Sequence, residues 1–230
     1  MPQHVGAAGS RSLPDAFARM EYAVAGLAEP EAYNVFSQLV IPRPVAWVLT
    51  DNGTSPRDDR WNLAPFSYFN GICSSPPLVM FSIGVGTEGR EKDSLRNLRQ
   101  RPTCVIGLAS ASQADDVQAT SAEFPRGVGE PRACGIELAT WDWPVPRVAA
   151  SPLSMGCVAR QFTPVGQTRQ VVVFAEIVKL WVRPGVGARD AGGQLQIDVA
   201  AFDPLARVGR GGYARLGPVF RPSSTPAHEA

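Results

Sequence analysis

The segment TRQVVVFAEIVKLWV, residues 168–182, is the feature that most constrains the fold of this chain. Its β-branched and aromatic residues continue without proline or glycine, which is typical of a long strand. A second long strand is predicted immediately before it, at SPLSMGCVARQF (151–162). Two long strands of this kind favour a fold organised around an antiparallel sheet.

Shorter strands outnumber helices in the rest of the chain. The 21 prolines and 22 glycines among 230 residues indicate many turns. Periodicity and turn signals predict strands at 42–50, 61–69, 77–84 and 103–109, helices at 30–39, 92–100 and 112–122, and loops at 51–59, 183–193 and 209–217. The predicted fold class is mainly β (α+β), as an antiparallel barrel with a few peripheral helices.

The length and composition suit one domain with a full hydrophobic core. Hydrophobic residues make up 44% of the chain and charged residues 19%. We expect an N-terminal arm at 1–30 with a short helix at 15–27, one domain at 31–220 and a tail at 221–230.

Charge and hydropathy exclude two classes of partner. The formal net charge is +1 and no Lys/Arg block forms a nucleic-acid or membrane-surface patch. No apolar run reaches the length of a membrane span, and the N-terminus lacks the apolar core of a signal peptide. A cytoplasmic protein is the default expectation.

Histidine and cysteine usage limits the chemistry. The only histidines are His4 and His228, one in each predicted tail, and the four cysteines lie far apart. A serine or cysteine hydrolase and most catalytic zinc sites need a positioned imidazole, so no metal site is predicted. If the chain is an enzyme, an organic cofactor is expected to carry its reactive centre.

The segment GVGTEG (84–89) matches the dinucleotide fingerprint G-x-G-x-x-G. However, the helix start signal comes only at Asp93 or Ser94, and the chain lacks a repeating βαβ pattern. An ordinary glycine loop is therefore favoured over an NAD-binding site.

The segment EKDSLRNL (91–98) combines Lys92, Ser94 and the free N–H groups of a helix start, which together can bind a phosphate monoester. The alternative is a plain cap, with Asp93 as the N-cap residue and Lys92 in solvent. Spacing alone favours the plain cap.

Two further segments suit a flat ring. In NLAPFSYFN (62–70), Ala64 and Pro65 let a ring approach the main chain, while Asn62, Asn70 and Ser67 supply short polar groups. In PRPVAWVLT (42–50), a strand edge at 46–48 could hydrogen-bond a heterocycle; the alternative is an edge strand protected by proline.

Together these segments resemble the flavin reductase-like, FMN-binding split β-barrel proteins, particularly their flavoredoxin-like branch. The resemblance runs from about residue 33 to residue 215. It is carried by IPRPVAWVLT (41–50), NLAPFSYFNGICSSPPLVMFSIG (62–84), KDSLRNL (92–98), TSAEFPRGVGEPRACGI (120–136), RVAASPLSMGC (147–157) and FAEIVKLWV (174–182).

The resemblance implies a split barrel that forms a homodimer around two FMN molecules. At residues 92–94 the resemblance favours a phosphate site over the plain helix cap. Lys92 and Ser94, with Asp93 setting the helix start, match the phosphate site of the family. The residues that it assigns to the flavin are Arg43, Ala46, Trp47, Val48, Thr50, Asn62, Ala64, Pro65, Phe66, Ser67, Ser82, Lys92, Asp93 and Ser94.

The implied reaction is hydride transfer from NADH or NADPH to FMN, with no side-chain acid or base, so no catalytic residue is named. Reduced flavin could pass to a partner monooxygenase or deliver electrons to another acceptor. Two alternatives stay open: an FMN-binding electron carrier without NAD(P)H turnover, and an NAD-binding enzyme without flavin.

Overall fold

The computed structural model describes residues 21, 23–53 and 59–222. The helices are α1 (Glu29–Leu39), α2 (Asp93–Gln100), α3 (Ala114–Ala119), α4 (Glu130–Ala133) and α5 (Val199–Phe202). The strands are β1 (Arg43–Pro44), β2 (Ala46–Asp51), β3 (Trp61–Phe66), β4 (Phe69–Ser74), β5 (Pro77–Ile83), β6 (Thr103–Leu108), β7 (Leu138–Ala139), β8 (Arg147–Val148), β9 (Leu153–Val165), β10 (Gln170–Val182), β11 (Gly187–Arg189), β12 (Leu195–Ile197), β13 (Ala206–Val208) and β14 (Gly212–Ala214).

The main sheet has seven strands in the order β3-β2-β6-β9-β10-β5-β4. Every pairing in it is antiparallel, and the long strands β9 and β10 form its central hairpin. Only Ser67 and Tyr68 separate β3 from β4, which are the first and last strands of the sheet. The sheet therefore curves into a barrel that stays open along this seam.

Side-chain alternation along the strands fills the barrel. Ala46 and Val48 of β2 point into the same interior cluster as Phe81 of β5 and Val173 of β10. Helix α2 adds Leu95 and Leu98 to this cluster, so it closes one end of the barrel.

A second hydrophobic cluster lies on the outer face of β2, β3 and β6. Trp47, Leu49 and Leu63 belong to it, and Val117 of α3 and Val148 of β8 cover it. Both faces of β2 are therefore buried, which explains its nearly continuous apolar sequence.

The predicted mainly β class and the long strands at 151–162 and 168–182 are confirmed. The predicted strand 61–69 is wrong in its extent, because the seam at Ser67 and Tyr68 divides it into β3 and the start of β4. The predicted loops at 183–193 and 209–217 contain β11 and β14, whose hairpins the glycines allow.

Three other predictions have partial outcomes. The helix at 112–122 is shorter, with a 3₁₀ turn at 111–113 followed by α3. The helix predicted at 15–27 falls largely outside the described residues, and so does part of the loop at 51–59.

The strand edge predicted at 46–48 is wrong. β2 pairs with β3 on one side and with β6 on the other, so its backbone groups are used within the sheet. On this side of the sheet the edge strand is β3, the neighbouring segment NLAPF.

Among the helices that the structure describes, none combines the length and the apolar character that crossing a membrane requires.

Candidate functional site

Two neighbouring clefts lie where α2 meets the β3–β4 seam. The small cleft has a volume of about 80 Å³ and is lined by Asn62, Ala64, Pro65, Phe66, Gly86, Arg90, Glu91, Lys92, Asp93, Ser94, residues 120–125, Val128 and Glu130. The large cleft has a volume of about 700 Å³ and is lined by Glu29, Ala32, Tyr33, Phe36, residues 65–68, Met80, Ser82, Gly84, Lys92, Val165, Gly166, Thr168, Gln170 and Val172. Pro65, Phe66 and Lys92 line both clefts.

The start of α2 gives the small cleft its anion-binding character. Lys92 is the N-cap residue, and the first N–H groups of a helix have no partner within the helix. Ser94 is 2% exposed, and its Oγ accepts a 2.9 Å hydrogen bond from Nδ2 of Asn62. A cation, a fixed hydroxyl and helix N–H groups therefore meet in a space of phosphate size.

Asp93 does not cap the helix as the sequence suggested. It is the first helical residue, and the N-cap residue Lys92 makes no side-chain cap bond. Its Oδ1 lies 2.8 Å from Nη1 of Arg96 and 3.5 Å from Nε of Arg126. These two guanidinium groups offset the carboxylate charge, so Asp93 can stand beside an anion site.

Asn97 holds α2 against β2. Its Nδ2 donates to Oγ1 of Thr50 at 3.1 Å and to Oδ1 of Asn52 at 2.8 Å. Thr50 is fully buried and lines neither cleft. The structure therefore places Thr50 behind the helix, where it helps to hold α2 against β2.

The outer edge of β3, in the segment NLAPFSYFN, has no free N–H at Leu63 or Pro65. Alternate residues of a strand present their backbone groups to the same side. The N–H of Leu63 donates to Oε2 of Glu130 at 2.8 Å, and Pro65, on the same side, has no N–H. The outer edge of β3 is thus closed to another strand, and a ligand can approach it.

Glu130 is the site residue that the sequence analysis missed, although it lies within the quoted segment TSAEFPRGVGEPRACGI. It is 8% exposed and lines the small cleft. Burial raises the pKa of its carboxyl to about 7. Hydrogen bonds from the N–H groups of Leu63 and of Glu130 itself lower this pKa, and the negative charge of Asp93 raises it. Its contact with Leu63 spans 67 positions of sequence, so no local pattern reveals it.

Besides Thr50, three residues predicted to line the flavin have fully buried side chains. Ala46 and Val48 point into the barrel, whereas Trp47 packs in the outer cluster. Nε1 of Trp47 donates to Oγ1 of Thr120 at 2.9 Å, and Thr120 lines the small cleft. Trp47 therefore reaches the site through Thr120.

Arg43 is buried and acts mainly as an anchor for the main chain. Its guanidinium donates to the carbonyl oxygens of Ser37 at 2.5 Å, Val40 at 2.9 Å and Gly209 at 3.3 Å. Nε donates to Oγ of Ser67 at 3.3 Å. Arg43 thus holds the seam residue Ser67, which lines the large cleft.

Aromatic and aliphatic side chains dominate the wall of the large cleft. Tyr33 and Phe36 of α1, Phe66 of β3 and Tyr68 of the seam all line this space. Ser82 lines this cleft and not the small one. Of the predicted residues, Asn62, Ala64, Pro65, Phe66, Ser67, Ser82, Lys92, Asp93 and Ser94 line one or both clefts, whereas Arg43, Ala46, Trp47, Val48 and Thr50 line neither.

The segment GVGTEG forms a loop with a 3₁₀ turn at Thr87–Gly89 and no following βα crossover. It comes after β5 of an antiparallel sheet, so it lacks the parallel βαβ setting of a dinucleotide fingerprint. Gly86 and Gly84 each line one of the two clefts. The glycine-loop interpretation is confirmed.

Comparisons with known proteins agree with this geometry. Residues 37–198 match the family described as the flavin reductase like domain. A protein of Deinococcus radiodurans described as uncharacterized is 35% identical over 196 residues, covering 84% of this chain and 85% of its own length.

Solved structures show the same fold. Nitrilotriacetate monooxygenase component B from Bacillus cereus superposes with a TM-score of 0.77 at 25% identity, over 89% of this chain and 98% of its own. The 2-nitrobenzoate 2-nitroreductase of Pseudomonas fluorescens also has a TM-score of 0.77, at 24% identity, over 91% of this chain and 98% of its own. This protein is therefore a member of the flavin reductase-like family, with its split-barrel fold.

Proposed function

We propose that this protein is an NAD(P)H:FMN oxidoreductase. The observation that carries the proposal is the junction of the two clefts, where Pro65, Phe66 and Lys92 line both spaces. A phosphate in the small cleft and a ring system in the large cleft would be joined along this edge.

The side chains at the junction suit FMN. Lys92, Ser94 and the first N–H groups of α2 would hold the terminal phosphate, with Asn62 fixing the Ser94 hydroxyl. Pro65 and Phe66 of β3 and the seam residue Ser67 would lie along the ring, where Pro65 leaves the strand edge without an N–H group.

Bound FMN would supply the acceptor for a hydride from NADH or NADPH. The part of the protein in that reaction is to position two flat rings and to exclude water. Tyr33, Phe36 and Tyr68 offer aromatic surface for the second ring in the large cleft. No side-chain acid or base is assigned.

Reduced flavin would pass to a partner monooxygenase. The similarity to a protein named as component B of a monooxygenase supports this role. The second candidate is an FMN-binding electron carrier, which would use the same site without consuming NAD(P)H.

We further propose a homodimer that covers the end of α1 and the segment after it. Exposed apolar side chains continue along this surface, including Leu39 at 71%, Val40 at 57% and Ile41 at 50% exposure. A soluble monomer rarely leaves such a continuous apolar surface uncovered. Light scattering on the eluting protein should give twice the chain mass, and a monomer at all concentrations would contradict the dimer.

An anaerobic absorbance titration tests the reaction. FMN is added to the purified protein, and the oxidised-flavin band is followed as NADH and then NADPH are added. Catalytic bleaching with either donor supports the oxidoreductase. Bound flavin that stays oxidised favours the carrier, and protein that binds no FMN rules out both.

A further inference from the structure

The carboxyl of Glu130 lies in the small cleft, where the proposed function places a phosphate. Glu130 is 8% exposed, and its Oε2 is held by the N–H of Leu63 at 2.8 Å. A buried carboxylate beside a phosphate dianion is unfavourable because like charges repel in a region of low dielectric.

A protonated carboxyl removes this conflict. It keeps an acceptor oxygen for Leu63 and gains one O–H donor for a phosphate oxygen. We propose that Glu130 takes up a proton when a phosphate monoester enters the small cleft, and then binds the phosphate as a hydrogen-bond donor. This inference rests on the proposed function, because it requires the FMN phosphate to occupy that cleft.

The charges around Glu130 make proton uptake possible near neutral pH. Burial, with a smaller contribution from Asp93, raises the pKa of Glu130 to about 7. A phosphate would add a further negative charge and raise this pKa again. Binding of the phosphate should therefore be accompanied by proton uptake above pH 7, where Glu130 is ionised in the protein without ligand.

The other charged groups near Glu130 are partly paired with one another. The cleft is also lined by Arg90, Glu91, Lys92 and Glu123, and Glu123 accepts bonds from the N–H and hydroxyl of Thr87. Asp93 pairs with Arg96 and Arg126. Cys134 follows α4 directly. The pKa of its thiol is raised mainly by burial and, to a smaller extent, by the negative charges of Glu130 and Asp116. Of these groups, Lys92 is the cation best placed to share the phosphate with Glu130, because it also begins α2.

The proposal makes the affinity for FMN fall with rising pH. Between pH 7 and pH 9 the FMN phosphate stays fully dianionic, since its second pKa is about 6. Binding coupled to one proton should raise the FMN dissociation constant by up to about fiftyfold across this range, because free Glu130 is half ionised at pH 7 and almost fully ionised at pH 9. Riboflavin, which has no phosphate, should bind with a dissociation constant that does not change with pH.

The test measures FMN and riboflavin dissociation constants by flavin fluorescence at pH 7, 8 and 9, for the wild type and Glu130→Gln. The amide can still accept from Leu63 and is neutral at every pH. Glu130→Gln should show no pH dependence and should bind FMN by up to about a hundredfold more tightly than the wild type at pH 9, because it does not have to take up a proton.

Calorimetry on the wild type gives a second measurement that needs no variant. FMN binding at pH 8 in buffers of different ionisation enthalpy should take up most of one proton. An FMN dissociation constant that stays within twofold between pH 7 and pH 9, or no proton uptake, would overturn the role of Glu130.

Lys92→Gln separates this failure from failure of the proposed function. If Lys92→Gln weakens FMN binding but the wild type shows no proton uptake, the phosphate site stands and the inference about Glu130 is wrong. If FMN does not bind at any pH, or if Lys92→Gln leaves its binding unchanged, the proposed phosphate site and the Glu130 inference both fail.

Discussion

Lys92 does two things at a single position: it is the N-cap residue of α2, and it lines both clefts. A lysine in solvent would be expected to contribute little at a helix start, where the macrodipole disfavours a positive charge. Its location is therefore better explained by a ligand than by helix stability.

Replacing Lys92 with alanine should weaken FMN binding by about tenfold to a hundredfold, because a charge-assisted contact to phosphate contributes roughly 1.5–3 kcal/mol. Fluorescence titration measures the change. Lys179→Ala is the matched control, because Lys179 is a lysine of β10 that pairs with Asp142 and lines neither cleft. Equal affinities in the two variants would contradict the phosphate assignment.

The Trp47–Thr120 hydrogen bond offers a second test at the residue scale. Trp47→Phe and Thr120→Val should each lower the free energy of unfolding by about 1–3 kcal/mol, since each leaves a buried group less well paired. Because the two side chains bond to each other at 2.9 Å, the double variant should lose less than the sum. Urea denaturation of all four proteins measures the coupling, and additive losses would show that the bond contributes nothing.

Strand β9 depends at the element scale on a glycine in its interior. A Cβ at Gly156 would lie 2.8 Å from Cδ2 of Trp143, whose indole covers the strand there and donates to the carbonyl oxygen of Cys104 at 3.1 Å. Contact this close forces a shift of the indole or of the strand. The glycine thus lets Trp143 pack directly on the backbone of β9.

Gly156→Ala should therefore lower the free energy of unfolding by about 1–3 kcal/mol, as overpacking does in other proteins. Gly71→Ala is the matched control: Gly71 lies in β4, and a Cβ there meets no atom within 4 Å. Thermal melts of the two variants should differ clearly. Similar melting temperatures would mean that Trp143 moves aside at little cost.

Stability of the whole molecule should respond to pH through Glu130. Its pKa is raised from 4.5 to about 7 in the folded state. Between these values the folded protein holds a proton that the unfolded chain has lost, so stability decreases as pH rises from 4.5 to 7 and is then constant. At 1.36 kcal/mol per unit of pKa, the loss is at most about 3 kcal/mol.

Glu130→Gln should remove this loss. In the absence of flavin, the variant should be more stable than the wild type by about 1–3 kcal/mol at pH 8 and about equal to it near pH 4.5. Urea denaturation at both pH values measures the difference. A variant that is less stable at pH 8 would mean that the carboxylate form is favoured in the folded protein.

The sequence by itself determined the mainly β class, the two long strands β9 and β10, the helix α2 behind Lys92 and the proline-interrupted segment NLAPFSYFN. Each of these follows from local spacing: β-branched runs, proline positions and a helix start behind Lys92. The sequence also placed Asn62, Pro65 and Ser94 among the candidate site residues, and all three line the small cleft.

Only the tertiary structure decided which face of each strand meets which neighbour. Alternation divides 46–50 into two sets of side chains, but both sets are buried, so it could not show that Trp47 faces outward and Ala46 inward. The edge strand proved to be β3, and a carboxyl 67 positions away closes its edge. Such contacts form only when the barrel closes and brings distant segments together. The local sequence of one segment does not indicate which other segment it will contact.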